Sequence, residues 1–229
     1  MKNLVVLTGA GISAESGIKT FRDADGLWEG HNIMEVASPK GFNENPELVL
    51  EFYNKRRKQL LEVLPNKAHF NLVELEQYFN VNIVTQNVDD LHERAGSSDV
   101  LHLHGELLKV RSTLNENDVI EWKKDLNLGD LCPKKSQLRP HIVWFGEMVP
   151  LLETAIKIVE KADVLVIIGT SMQVYPAASL IDFVKSNTPI YFIDPKPSVS
   201  NKKFKQLEII EDVASSGTDK LLELLKEFS

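Results

Sequence analysis

The chain alternates short apolar runs with longer stretches of helical period. Residues 4–8, Leu-Val-Val-Leu-Thr, form an unbroken apolar run that stops at Gly9, as expected of a strand buried on both faces of a parallel sheet. Val81-Asn82-Ile83-Val84-Thr85 repeats this signature, as do Val164-Leu165-Val166-Ile167-Ile168 before Gly169 and Ile190-Tyr191-Phe192-Ile193 before Asp194-Pro195. Each run is short, β-branched and closed by polar or turn residues, which predicts four strands. Between them lie helical signals. Asn45 as N-cap, Pro46 at the first helical position and Glu47 in the first turn predict a helix over 46–64, with a stripe of Leu48, Phe52, Leu60 and Leu64, ended by Pro65. A second helix over roughly 67–79 carries Ala68, Leu72, Leu75 and Phe79 on one side. Ser215-Ser216-Gly217-Thr218 reads as a turn before a closing leucine-rich helix.

Strands alternating with helices imply an α/β fold, a Rossmann-like doubly wound parallel sheet with ligands at the carboxyl ends of its strands. Residues 20–65 hold no convincing strand, and residues 106–140 are polar and irregular. Both read as excursions that pack into a smaller lobe, of about 21–65 and 106–139, while about 1–20, 66–105 and 140–229 form the large lobe. There is no internal repeat.

Composition narrows the function classes. The 229 residues, 43% hydrophobic and 26% charged, suit a globular enzyme with a sizeable core. A net charge of −7 and a pI near 5.4 give no basic footprint for nucleic acid and favour a cationic protein partner. With one cysteine, Cys132, neither a disulfide framework nor a four-cysteine metal site can be built, which suits a reducing compartment. The apolar run Leu4–Leu7 is too short for a signal peptide, and no stretch approaches the roughly 20 apolar residues of a membrane span. A cytoplasmic, monomeric protein without membrane contact is expected.

The chemistry-bearing residues cluster after the predicted strands. Thr8-Gly9-Ala10-Gly11-Ile12-Ser13-Ala14 matches the dinucleotide fingerprint, in which small residues admit a pyrophosphate and a helix N-terminus offers it N–H groups. The same residues would also serve a plain tight turn. A dehydrogenase wants an acidic residue about 20 positions on, at a strand end; Asp23 and Asp25 lie in a polar segment that is no strand end. Gln86, Asn87 and Asp89 follow the strand at 81–85, where amides and a carboxylate can bind a carboxamide and ribose hydroxyls, or form a satisfied polar turn. In Leu101-His102-Leu103-His104-Gly105 alternation puts both histidines on one face, and Gly105 ends the run.

Gly9-Ala10-Gly11-Ile12-Ser13-Ala14-Glu15-Ser16-Gly17-Ile18 with Phe21-Arg22, then Thr85-Gln86-Asn87-Val88-Asp89, His102-Leu103-His104-Gly105 and Val143-Trp144-Phe145-Gly146-Glu147 resemble the motifs of the sirtuin family, in the family's order and over nearly the whole chain. The resemblance implies a single NAD⁺-dependent protein-lysine deacylase domain, with acyl-lysine proteins as substrates. It assigns catalysis to His104, Asn87 and Asp89. NAD⁺, a co-substrate, would be held by Gly9, Ala10, Gly11, Ser13, Ala14, Phe21, Arg22, Trp28, Gln86, Asn87, Val88, Asp89 and His104, with Gly169, Thr170, Ser171, Asp194 and Ala214. Val143, Phe145 and Gly146 would bind the acyl-lysine substrate. In the implied reaction the acyl carbonyl oxygen attacks the nicotinamide ribose and nicotinamide leaves. His104, with an ordinary pKa of ~6.5, then helps a ribose hydroxyl lose its proton and attack the alkylimidate carbon, and water finishes the transfer to give free lysine and O-acyl-ADP-ribose. His102 is expected to pack or to support.

Phe52-Tyr53-Asn54-Lys55-Arg56 resembles the Tyr-x-x-Arg signature of sirtuins that remove succinyl and malonyl groups. Tyr53 and Arg56 share a helix face and would bind an acyl carboxylate; by itself, Lys55-Arg56-Arg57-Lys58 reads as a solvated basic face. Two departures stand out. Sirtuins commonly hold a structural zinc with two cysteine pairs, where this chain has Arg111-Ser112-Thr113-Leu114 and Cys132-Pro133-Lys134-Lys135. One thiolate cannot complete that site, so no zinc is expected, and Leu107, Leu114, Ile120, Trp122, Leu126, Leu128 and Leu131 are the available packing of the small lobe. Asp194 stands where many relatives have asparagine and can accept from ribose but not donate. The rival readings are an NAD-linked oxidoreductase and a catalytically silent NAD- or ADP-ribose-binding module.

Overall fold

A computed structural model describes residues 1–20, 27–28, 30–198, 204 and 206–226, with backbone alone at Leu27 and Trp28. Its centre is a six-stranded sheet, parallel throughout, built from β1 (Asn3–Thr8), β4 (Asn80–Thr85), β5 (Val100–His102), β9 (Val164–Ile168), β10 (Ile190–Ile193) and β11 (Leu207–Ile210), in the order β11-β10-β9-β1-β4-β5. β4 and β5 run outward on one side of β1, and β9, β10 and β11 on the other. The order reverses between β1 and β9, and the crevice opens at their carboxyl ends.

All four predicted strands form. Their apolar runs are continuous because alternate residues serve opposite faces. Leu4, Val6, Ile83, Val166 and Ile168 pack beneath α4 (Lys67–Leu75) and α7 (Ala214–Lys226). Val5, Leu7, Val84, Leu165, Ile167 and Phe192 pack with α6 (Leu152–Val159) and the 3₁₀ segment Ala177–Phe183. The helix expected to reach residue 79 stops at Leu75, and Ser215–Thr218 lies inside α7 rather than before it, since Gly217 fits directly against Ile193.

A second core gathers around α3 (Pro46–Glu62), which Asn45 caps by accepting the Leu48 N–H at 3.1 Å. Val49, Leu50, Phe52, Tyr53 and Leu60 of α3 pack with residues of α1 (Ile33–Val36), α2 (Pro39–Glu44), β6 (Gly105–Ser112) and β8 (Leu138–Ile142). Leu64, expected on the stripe, lies past the helix end and is exposed. Residues 106–140, read as irregular, contain a three-stranded antiparallel sheet in the order β7-β6-β8, with β7 at Val119–Glu121. In 20–65 the two-residue strands β2 (Leu27–Trp28) and β3 (His31–Asn32) pair antiparallel.

Of the residues expected to pack this region, Leu107 and Leu126 are buried and Trp122 partly so, whereas Leu114, Ile120, Leu128 and Leu131 are exposed. Val110, Cys132, Leu138, Ile142 and Trp144 fill the space instead. Arg57, expected in solvent, is only 1% exposed. Its guanidinium donates to the Leu107 carbonyl at 3.2 Å and the Asn54 side-chain oxygen at 2.8 Å, tying α3 to β6. Burial pushes its pKa down to about 10, so it stays charged at neutral pH.

Candidate active site

The turn after β1 enters a 3₁₀ segment, Ala10–Ser16, rather than an α-helix. Three N–H groups of the turn point into protein: Gly9 donates to Ile168 O at 3.0 Å, Gly11 to Gly169 O at 2.8 Å and Ile12 to Gly9 O at 3.1 Å. These groups are therefore not the free donors that the fingerprint suggested. The glycines have another cause. A Cβ on Gly11 would lie 2.5 Å from Gly169 Cα, and one on Gly9 2.7 Å from Thr170 Cβ. The two loops interlock across the switch point, which only residues without side chains allow.

Gln86, Asn87, Val88 and Asp89 leave the end of β4 into the same crevice. Asn87 is clamped on every side: its N–H donates to Thr85 Oγ1 at 3.0 Å, its amide to Gly9 O and Ser13 Oγ, each at 3.2 Å. The Ser13 hydroxyl in turn donates to Asp89 Oδ2 at 3.0 Å, and Leu91 N–H to Asp89 Oδ1 at 3.2 Å. Burial raises the Asp89 pKa to about 6 against these two donors. Ser13 thus braces the wall from behind and is absent from the cavity lining.

His104, just past β5, has Nδ1 at 3.0 Å from the Gln86 carbonyl oxygen. A carbonyl only accepts, so Nδ1 carries the proton and Nε2 is left as the basic nitrogen. Burial holds the His104 pKa below the ordinary value, opposed by the Gln86 hydrogen bond. His102 points elsewhere, its Nδ1 at 3.0 Å from Asn87 O and its Nε2 at 2.7 Å from Glu93. Burial works against its charged form, yet Glu93 outweighs burial and raises its pKa. Burial thus favours the neutral form of His104, while Glu93 favours the charged form of His102, which donates to the Asn87 carbonyl and braces it.

A cavity of about 490 Å³ joins these groups, within the usual range of about 300–1,000 Å³ for small-molecule sites. Gly9, Ala10, Gly11, Ala14, Gln86, Asn87, Val88, Asp89, His104, Gly169, Thr170, Ser171, Asp194 and Ala214 line it, as do Tyr53, Arg56, Val143, Phe145 and Gly146. Phe21, Arg22 and the Trp28 side chain lie outside the described residues. Gln86 donates to Thr170 Oγ1 at 3.2 Å across the crevice, and Asp194 Oδ1 accepts the Lys196 N–H at 2.8 Å. At the far end the Val143–Gly146 loop is pinned by Glu147, which accepts from Arg139, Arg111 and the Trp144 N–H.

The comparisons decide the family. A model of the Sir2 family matches residues 9–176. This chain belongs to the Sir2 family. It is 70% identical over 196 residues to an NAD-dependent protein deacylase of Helicobacter pylori, covering 86% of this chain and 86% of that protein. Another, of Bacteroides thetaiotaomicron, is 54% identical over 231 residues, covering 98% of each. The crystal structure of a Sir2 homolog–NAD complex superposes with a TM-score of 0.88 at 43% identity, covering 99% of this chain and 90% of that one. As a Sir2 chain it lines its cavity also with Ile18, Ile142, Glu147, Val213 and Val174–Pro176, none of which the sequence reading assigned. Glu147 closes a quoted motif and could have been found; Val174–Pro176 follows no recognisable signal.

Proposed function

We propose that this chain is an NAD⁺-dependent protein-lysine deacylase with His104 as its general base. The observation that carries the reading is the His104 imidazole, held through Nδ1 by the Gln86 carbonyl on the cavity wall shared with Asn87, Asp89 and the glycine turn. The donor set fits a nicotinamide nucleotide: amides at Gln86 and Asn87, a carboxylate at Asp89 for a carboxamide or hydroxyl, and Asp194 with Ala214 at the opposite end. Bound NAD⁺ supplies an activated sugar carbon from which nicotinamide departs when an acyl oxygen arrives; a ribose hydroxyl and then water attack the acyl carbon and expel the amine, so the products are nicotinamide, free lysine and O-acyl-ADP-ribose. Asn87 and Asp89 orient the carboxamide, and His104 Nε2 takes the proton of a ribose hydroxyl. Val143 and Phe145 already donate their N–H groups to the His104 and Ala37 carbonyls. They meet the acyl-lysine substrate with side chains and carbonyls, beside the backbone of Gly146.

Tyr53 and Arg56 lining the same cavity favour a finer reading, that the preferred acyl group is acidic, succinyl or malonyl. Two donors of fixed geometry suit a carboxylate. The part of the chain around α3 and the small sheet forms, on this reading, a lobe held without zinc. Where the family has two cysteine pairs, Ser112 Oγ donates to Cys132 Sγ at 3.4 Å, Thr113 and Ser136 share a hydroxyl hydrogen bond, and Cys132 N–H donates to Ser136 O at 2.8 Å. Among the described residues no group of three or more His, Cys, Asp or Glu could hold a metal.

Incubation with NAD⁺ and a succinyl-lysine peptide tests the proposal. Release of nicotinamide that depends on peptide is expected. Absorbance of NADH would point to an oxidoreductase, and absence of both products to a silent binding module; either would overturn the reading.

A further inference from the structure

Beneath the Asn87 turn lies a set of side chains that the proposed chemistry does not use. Thr8, Thr85, His69 and His92 are all fully buried. Thr85 Oγ1 accepts the Asn87 N–H at 3.0 Å and the Thr8 hydroxyl at 2.8 Å. Because the Thr8 proton is directed at Thr85, what Thr8 offers His92 Nε2, 3.1 Å away, is a lone pair. His92 therefore carries its proton on Nε2, and its Nδ1 is an acceptor. His69 is complementary. Its Nδ1 accepts the Asn66 N–H at 3.3 Å, so its proton lies on Nε2. His69 Nε2 and His92 Nδ1 are buried without hydrogen-bond partners among the described residues, one a donor and the other an acceptor, on rings packed edge to face with centroids 5.0 Å apart.

We infer that His92, backed by His69, is a positioning residue that fixes the Asn87 peptide through Thr8 and Thr85. The inference rests on the reading of Asn87 as a holder of the carboxamide. Burial holds the His92 pKa well below the ordinary value and brings that of His69 to about 4, so both rings stay neutral and the donor order does not reverse at working pH. Without the Nε2 donor, the Thr8 hydroxyl is no longer oriented toward Thr85, and the Asn87 N–H loses a fixed acceptor. The Asn87 side chain, which reaches Gly9 O and Ser13 Oγ from that peptide, then shifts with it.

The test compares His92→Gln, which retains a donor near the Nε2 position, with His92→Phe, which retains only volume, alongside Thr85→Val, Asn87→Ala and the Thr85→Val/Asn87→Ala double variant. Peptide-dependent nicotinamide release is measured on folded protein checked by thermal melting, and imidazole ¹⁵N shifts report the tautomers. Expected are neutral His69 and His92 protonated on Nε2, kcat lower by about tenfold or more in His92→Phe and Thr85→Val, partial recovery in His92→Gln, and a double variant no slower than Asn87→Ala alone. A lowered Tm with unchanged kcat in both His92→Phe and Thr85→Val would reduce the network to scaffolding and overturn the inference while leaving the reading of Asn87 intact. Full rate in Asn87→Ala would instead remove the reading on which the inference rests.

Discussion

The indole N–H of Trp144 donates to the Tyr53 hydroxyl oxygen at 3.0 Å, both residues being fully or nearly fully buried. This bond joins the middle of α3 to the Val143–Gly146 loop, so the residues proposed to read the acyl group and those proposed to hold the peptide share one rigid contact. Burial drives the Tyr53 pKa far up against the Trp144 hydrogen bond, and the phenol stays protonated. Arg56 stands beside it, its guanidinium 3.5 Å over the Phe52 ring.

Arg56→Met is expected to lower kcat/KM for a succinyl-lysine peptide by about tenfold or more, the scale of a lost charge-assisted hydrogen bond, while changing that for an acetyl-lysine peptide little. Equal losses on the two peptides, measured on one peptide scaffold, would dismiss the acidic-acyl reading. Tyr53→Phe carries a second cost. It strands the buried Trp144 N–H, which should destabilise the fold by about 1–3 kcal/mol, read as a lower denaturation midpoint.

The pH behaviour follows from two groups of the cavity wall, the half-buried His104 and the buried Asp89. The folded His104 pKa lies below its unfolded value of 6.5, so the ring is neutral above that value, and its contribution to stability is whole there and lost as pH falls from 6.5 through the lowered folded value. Asp89 has the opposite linkage. Its pKa rises from 3.8 to about 6 on folding, so its contribution to stability is whole below 3.8 and lost as pH climbs through about 6. Asp89→Asn should therefore raise Tm at pH 8, raise it progressively less toward pH 4, and depress deacylation. A uniform drop in Tm across that range would show that the carboxylate is not held at a cost.

Removal of metal should change nothing. Hydroxyl and thiol hydrogen bonds join Ser112 to Cys132 and Thr113 to Ser136, and the core beneath them contains Val110, Leu138 and Cys132. Dialysis against a chelator is expected to leave Tm and activity unaltered, and metal analysis to find no stoichiometric zinc. A chelator-induced loss of several degrees would contradict a lobe held by packing and hydrogen bonds.

Four of the six strands of the large sheet were legible because burial on both faces sustains the apolar run, as at Val164–Ile168; the edge strands β5 and β11, partly exposed, were not read as strands. The small sheet was not, for β7 is exposed along its length and β6 mixes Lys109 and Arg111 with Leu107 and Val110. Arg57 looked like solvent because nothing local announces that the Leu107 carbonyl and Asn54 await it inside. Candidate site residues that follow strand ends were named from their motifs, and Gln86, Asn87, Asp89 and His104 line one cavity. The support behind them, His92 and Glu93, was not named, since a buried hydrogen-bond chain leaves no periodic signal.

The glycine turn provides the sharpest structural test, because two explanations of the same residues part company there. If Gly11 were small only to admit a ligand, Gly11→Ala would fold normally and lose binding alone. The geometry argues otherwise: the added methyl would stand 2.5 Å from Gly169 Cα and 2.8 Å from Gly169 O, both backbone, while Gly169 itself sits at φ +62 with its own Cβ direction 2.3 Å from Ile12 N. Neither loop can give way without breaking the Gly9–Ile168 and Gly11–Gly169 hydrogen bonds at the sheet's switch point. Overpacking of this kind costs about 3 kcal/mol, which in a chain of this size lowers Tm by roughly 6–12 °C. Calorimetry of Gly11→Ala without nucleotide should show that drop; an unchanged Tm would mean that the interlock is loose and that the glycine serves the ligand after all.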